Sequence, residues 1–197
     1  MIRQAVARGM VGLALAAALS GCVSPPAQFY TLAAIAQPEQ GALPAAYAVR
    51  VDSVTIPAVV DRPQFVVQKS AHRVAIDEFN RWAAPLSASV ARTLADNLGI
   101  LLGTPRVVSG ALAASFEPAY RVTVDIQRFE SVPGEAVTLD ALWLVRRAGA
   151  AGAASGRSVL REPVQGSGYE ALAAAHSRAI AGMSRDIASA IRAAAMR

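Results

Sequence analysis

Few side chains of this 197-residue chain could carry catalysis or bind a metal ion, since it has one cysteine and two histidines. His72 falls in a predicted hairpin turn, which favours exposure to solvent. His176 lies on the apolar face of a predicted helix, which is typical of a hydrogen-bonded core histidine. Asp77 and Glu78 are adjacent carboxylates, but neighbours on a strand point to opposite faces and cannot share acid–base work. No metal-ligand spacing, nucleophile elbow or phosphate-binding glycine loop occurs. We therefore expect no metal site, no cofactor and no enzymatic activity.

The segment before the lone cysteine has the layout of a secretory signal. Arg3 and Arg8 give it a basic start, Met10–Leu19 is apolar apart from glycine, and Ser20-Gly21 supplies small residues at the end. The apolar run has about half the roughly twenty residues that a membrane-spanning helix needs. We expect residues 1–21 to be a removable signal peptide.

Cys22 refines this prediction. Leu19-Ser20-Gly21-Cys22 resembles the lipobox of bacterial lipoproteins, in which the thiol receives a diacylglyceryl group and the chain is cut before the cysteine. An ordinary signal followed by a chance cysteine is the alternative. Several acyl chains hold a protein stably on a membrane, whereas one does so only marginally. Val23 follows in place of the aspartate that favours inner-membrane retention of lipoproteins. The resemblance thus implies an anchor at Cys22 and a location on the periplasmic face of the outer membrane.

Composition limits the remaining classes of function. The formal charge is +5, but the basic residues are interspersed and form no stripe with aromatic residues, so we expect no nucleic-acid partner. The mature length suits one domain with a sizeable core. We divide it into a lipidated N-terminus with a first strand and linker (22–47) and a single periplasmic domain (48–197).

The periodicity of apolar residues predicts the elements of this domain. Alternation with period two is clearest in Tyr120–Gln127. Helical spacing predicts one helix over Pro85–Asn97, stopped at Gly99, and a second over Tyr169–Ala195. Further strands are predicted at 29–32, 48–54, 65–69, 73–76, 106–108, 136–147 and 158–162, the last three strands of the chain forming an antiparallel meander. The order of strands, helix, strands, helix predicts an α+β fold with two helices packed on a mostly antiparallel sheet.

Three motifs then occur in one order and spacing: Phe29-Tyr30-Thr31-Leu32, Asp61-Arg62-Pro63-Gln64 and Arg81-Trp82-Ala83-Ala84-Pro85-Leu86. Together they resemble the PqiC family of ABC-type transport auxiliary lipoproteins over nearly the whole mature chain. One departure is Ala84, where relatives commonly carry an acid. The resemblance implies an accessory subunit that docks on a PqiB-like protein of the MCE class, whose tunnel carries lipids between membranes. It also implies a homo-oligomeric ring.

The motif residues are candidates for partner contact, because loops carry recognition while strands hold shape. The candidate partner-binding residues are Asp61, Arg62, Pro63, Gln64, Arg81 and Trp82. Simpler interpretations stay open: Phe65 and Trp82 could be core residues, and Arg81 could bind loop carbonyls at the start of the first helix.

Two other functions compete with docking in lipid transport. One is a structural envelope lipoprotein of another transport or secretion assembly. The other is a hydrolase, which would require Ser167 to converge with His72 or His176.

Overall fold

The computed structural model describes residues 25–41, 43–110, 117–150 and 152–196. The predicted signal peptide and Cys22 lie outside these ranges. The described residues form eight strands and two helices. The strands are β1 (Gln28–Tyr30), β2 (Val49–Thr55), β3 (Gln64–Ser70), β4 (Arg73–Trp82), β5 (Val107–Ser109), β6 (Tyr120–Val132), β7 (Ala136–Arg147) and β8 (Ala153–Pro163), and the helices are α1 (Leu86–Leu102) and α2 (Gly168–Ala195).

The larger sheet has five strands in the order β5-β2-β6-β7-β8. Strands β6, β7 and β8 follow one another through short turns and pair antiparallel, which confirms the predicted meander. Strand β2 runs parallel to both of its neighbours, β5 and β6. Parallel neighbours need a crossover, and the chain between β2 and β6 contains β3, β4, α1 and β5.

The smaller sheet has three strands in the order β1-β4-β3. Strands β3 and β4 form the predicted hairpin, and β1 runs parallel to the end of β4. The α+β class is confirmed, although the sheets are mixed. Alternation along a strand reports which face is buried but not the direction of the neighbouring strand, so the three parallel pairings had no signal in the sequence.

The two helices pack against each other, and the core lies between them and the sheets. The buried face of α1 includes Leu86, Val90, Leu94 and Leu98, and that of α2 includes Leu172, Ile180, Met183, Ile187 and Ile191. Both predicted apolar faces are therefore confirmed. Neither helix combines the length and apolarity that crossing a membrane requires, within the residues that the structure describes.

Several predicted boundaries were wrong. Strand β6 extends to Val132 instead of ending at Gln127, and β8 begins at Ala153 instead of Ser158. Helix α1 continues past Gly99 to Leu102 and is capped by Gly103. Gly103 adopts the left-handed conformation with φ 64° and donates its amide to the carbonyl of Ile100. An internal glycine costs a helix about 1 kcal/mol, and burial of Leu101 and Leu102 offsets it. Strand β4 also extends to Trp82 instead of ending at Ile76.

Candidate functional site

The three motif stretches meet at one end of the smaller sheet. Strand β1 lies beside the last residues of β4, with Tyr30 opposite Trp82. On the other side of β4, Gln64 at the start of β3 lies opposite Arg81. Residues separated by some fifty positions in sequence therefore become neighbours in the sheet.

Backbone hydrogen bonds fix this junction. The amide of Trp82 donates to the carbonyl of Pro63 at 2.7 Å, and the amide of Ala83 donates to the carbonyl of Tyr30 at 2.9 Å. A groove of about 340 Å³, here called the motif groove, opens where β4 leads into α1. Its lining consists of Asp61, Arg62, Pro63, Trp82, Ala83, Ala84, Pro85 and Leu86.

The motif groove has a fixed floor and a small-residue rim. Trp82 and Leu86 are buried beneath it, whereas Ala83, Ala84 and Pro85 are exposed. Arg62 is half-buried, and its Nε atom is shielded from solvent without a hydrogen-bond partner among the described residues. The groove therefore presents a shallow, largely apolar surface.

The six predicted partner-binding residues divide into two groups. Asp61, Arg62, Pro63 and Trp82 line the motif groove. Gln64 and Arg81 do not line it. Their side chains both bind the carboxylate of Glu78, at 3.2 Å and 3.4 Å.

Two of the simpler interpretations are also settled by contacts. Phe65 and Trp82 are core residues, as expected. Arg81 does bind a carbonyl, but it is that of Glu78 at 3.0 Å, three residues earlier on β4. The expectation of a carbonyl in the loop at the start of the helix was therefore wrong, because β4 reaches farther than predicted and places Arg81 within the strand.

An aromatic cluster packs beneath the motif groove, made of Tyr30, Phe65, Trp82, Phe129, Tyr169 and His176. Phe65 lies at its centre and stacks on Trp82 with ring centroids 4.3 Å apart. It meets Tyr30 and Tyr169 edge to face, at 5.9 Å and 5.2 Å. Offset and edge-to-face pairs stabilise by about 0.5–1.5 kcal/mol beyond their burial. The cluster thus joins all three strands of the smaller sheet to α2.

His176 lies at the inner end of the aromatic cluster, as the core interpretation predicted. Its ring stacks on Phe129 with centroids 4.0 Å apart, and Nε2 lies 2.8 Å from the hydroxyl oxygen of Ser131. Burial lowers the pKa of His176 to about 3, so the ring is neutral at pH 7. Nδ1 has no partner among the described residues. A bare lone pair is better tolerated there than a buried N–H, which favours the tautomer protonated on Nε2.

The structure separates Ser167 from His176, two of the residues considered for hydrolysis. His72 is exposed in the β3–β4 turn. Ser167 is exposed immediately before α2, and His176 follows nine residues later, about 13 Å along the helix axis. No group of side chains suited to hold a metal ion occurs in the part of the chain that the structure describes.

Asp77 shapes the strand that carries the third motif. One carboxylate oxygen accepts hydrogen bonds from the backbone amides of Phe79 and Asn80, both at 2.9 Å, and from the side-chain amide of Asn80 at 3.0 Å. The other accepts from the Tyr169 hydroxyl at 2.7 Å. The pairing of β3 with β4 jumps at this point, where Phe65 faces Asp77. Asp77 therefore closes a bulge and ties it to α2.

These hydrogen bonds also set the charge states of Asp77 and Tyr169. Burial raises the pKa of Asp77, but the hydrogen bonds from Tyr169, Asn80 and Phe79 together bring it below its usual value. Burial and then the bond to Asp77 raise the pKa of Tyr169 well above its ordinary value. Asp77 is thus a carboxylate and Tyr169 a neutral donor at pH 7. This role of Asp77 was not predicted from the sequence. Aspartate and asparagine three positions apart are nevertheless typical of a local turn in which a side chain binds the backbone.

We predict unequal effects for the two adjacent carboxylates. Asp77→Ala leaves the bulge amides and the Tyr169 hydroxyl without their acceptor, so the free energy of unfolding should fall by about 1–3 kcal/mol. Glu78→Ala, the matched control, removes an exposed ion pair with Arg81 and an exposed hydrogen bond from Gln64, and should cost less than about 1 kcal/mol. Urea unfolding of both variants measures the difference, and equal losses would contradict the assigned role of Asp77.

We also predict a pH dependence that arises from His176. Between about pH 6.5 and pH 3 the unfolded chain binds a proton that the folded chain does not, because burial lowers the folded-state pKa. The contribution of His176 to the free energy of unfolding should therefore be complete above pH 6.5. It should fall with decreasing pH by up to about 1.4 kcal/mol per pH unit. His176→Gln should remove that slope, and His72→Gln should retain it. Denaturant unfolding at pH 7, 6 and 5 tests this, and an unchanged slope in His176→Gln would refute it.

Comparison with known proteins agrees with this architecture. Residues 30–188 match the family model described as the ABC-type transport auxiliary lipoprotein component, so the match contains the motif groove, all of α1 and α2 as far as Ala188. The comparison with curated proteins gave no match.

Solved structures share the fold at low sequence identity. The crystal structure of protein XCC0632 from Xanthomonas campestris, of the family model DUF330, is 16% identical with a TM-score of 0.69, covering 84% of this chain and 95% of that one. A crystal structure described as that of an uncharacterized protein is 23% identical with a TM-score of 0.69, covering 85% of this chain and 99% of that one. The matched residues include the second and third motifs in full and most of the first. The chain belongs to the family of ABC-type transport auxiliary lipoproteins.

Proposed function

We propose that this protein is an outer-membrane lipoprotein that serves as the accessory, docking subunit of an MCE-type, PqiB-like intermembrane lipid transport system. The observation that carries the proposal is that three separated motifs meet at one end of the smaller sheet, where two of them line one groove, in a chain whose family is auxiliary to ABC-type transport. The proposed activity is mechanical and not enzymatic: the protein holds a partner in position at the membrane and thereby supports envelope integrity.

The motif groove supports a role in protein contact. Its rim offers alanine and proline, whose side chains lose little conformational entropy on burial. Asp61 and Pro63 place the same surface on a turn, where contact residues are common.

The sequence supports the anchor. Acyl chains on Cys22 would fix the mature N-terminus on the periplasmic face of the outer membrane, and Pro25-Pro26 would act as a stiff spacer to the body. Assembly into a homo-oligomeric ring forms part of the proposal and rests on the family resemblance alone.

An alternative is a structural lipoprotein of a different transport or secretion assembly. The two proposals differ in the proteins that should accompany the lipoprotein. Neighbouring genes for an MCE-domain protein and a membrane permease favour the first.

We predict that Ala84→Arg disrupts docking. Ala84 is exposed on the rim, so the larger side chain should leave folding unchanged but fill the motif groove with a cation. Recovery of the MCE-class partner with the membrane-extracted protein should fall at least tenfold in pull-down and mass spectrometry. Ala153→Arg, at an exposed alanine on β8, is the matched control and should recover the partner normally.

Two results would contradict the proposal. Equal recovery by the two variants would remove the motif groove from the docking surface. Co-purification of a different assembly with the wild-type protein would favour the alternative.

A further inference from the structure

The distance between the lipid anchor and the folded body is short. Strand β1 begins at Gln28, six residues after Cys22. A fully extended chain spans at most about 3.6 Å per residue, so the start of β1 lies within about 22 Å of Cys22. The inference that follows rests on the proposed acylation of Cys22.

The direction of β1 decides which part of the body faces the anchor. Gln28 lies opposite Asn80, and β1 runs parallel to β4. The chain that precedes Gln28 therefore enters from the side on which β4 begins, where the β3–β4 turn lies. Within the described residues, β1 covers only Asn80–Trp82 of β4, so the edge of β4 from Arg73 to Phe79 has no strand on that side.

Three apolar side chains of β4 are partly exposed in this region. Val74, Ile76 and Phe79 are 39%, 42% and 40% exposed. Val74 and Ile76 pair with Gln68 and Val66, two residues apart on each strand, so they share one face of the hairpin.

Positive charge lies at the tip of the same hairpin. Lys69 and Arg73 are exposed on either side of the turn, and neither forms a salt bridge within the described part of the chain. No acidic residue occurs from Gln68 to Ile76. Apolar side chains next to exposed cations are the combination that binds at the boundary between anionic headgroups and acyl chains.

We propose that this hairpin surface, made of Lys69, Arg73, Val74, Ile76 and Phe79, rests on the phospholipid bilayer that holds the acyl chains. The apolar side chains contact the interface, and the two cations contact phosphate groups. A short tether that enters beside β4 keeps the surface at high effective concentration next to the bilayer. The contact orients the body, so that the motif groove, at the opposite end of β4, is directed away from the bilayer.

The test uses fluorophores at single positions of the full, lipidated protein. Because acylation consumes the thiol of Cys22, an introduced cysteine is the only reactive one. Ile76→Cys and Phe79→Cys variants are labelled with an environment-sensitive dye and reconstituted in vesicles of phosphatidylethanolamine and phosphatidylglycerol, with and without brominated acyl chains. Leu43→Cys is the control: Leu43 is 81% exposed.

The control position lies at the other end of α2. Arg192 donates to the carbonyl of Leu43, whereas Tyr169, at the start of the helix, contacts Tyr30. The two helix positions are about 35 Å apart. Quenching by brominated lipid should be at least twofold greater at positions 76 and 79 than at position 43.

Each other outcome overturns the inference in a distinguishable way. If the protein binds vesicles but the dyes at positions 76 and 79 are quenched no more than the dye at position 43, the bilayer contact is refuted and the anchor is not. Dyes that are shielded from water but insensitive to brominated lipid indicate contact between copies of the chain instead. If the protein fails to float with the vesicles, both the proposed anchor and the inference are refuted.

Discussion

The packing of Phe65 is the interaction on which the arrangement of the motifs depends. Its ring contacts Trp82 from β4, Tyr30 from β1 and Tyr169 from α2, and it is almost fully buried. A three-stranded sheet with one short strand is only marginally stable without support from another layer. The aromatic cluster provides that support by fastening the smaller sheet to α2. Asp77 adds a polar link between the same elements through the Tyr169 hydroxyl.

This construction separates stability from recognition. The aromatic rings and His176 lie below the surface, while the rim of the motif groove is formed by small residues that contribute little to the core. A partner can therefore contact a surface whose shape is set from beneath. Such preorganisation lowers the entropy cost of binding, which is consistent with the docking role proposed above.

Sequence patterns predicted the parts of the fold that depend on local periodicity. The apolar face of α2, from Leu172 to Ile191, and the alternation of Tyr120–Gln127 both follow from repeats of 3.6 and 2 residues. His176 was also placed correctly, because a polar residue within an apolar helix face needs a buried partner. These features require no knowledge of which elements meet.

The candidate site depended on long-range pairing and was predicted only as separate pieces. The parallel pairing of Tyr30 with Trp82 leaves no trace in either segment. Likewise, the bulge at Asp77 is tied by a hydrogen bond to Tyr169, which lies ninety-two positions away in the sequence. The motifs could be identified as a set from their order and spacing, but their meeting at one end of the smaller sheet required the structure.

Hydrogen exchange in a Phe65→Leu variant tests the central claim most directly. The smaller side chain should loosen the aromatic cluster, and the amide protons of Trp82 and Ala83, which bind Pro63 and Tyr30, should exchange at least tenfold faster. Amides of the β6–β7 ladder should change much less. Unchanged protection of Trp82 and Ala83, or an equal increase in exchange across both sheets, would contradict the claim that the aromatic cluster holds the three motifs together.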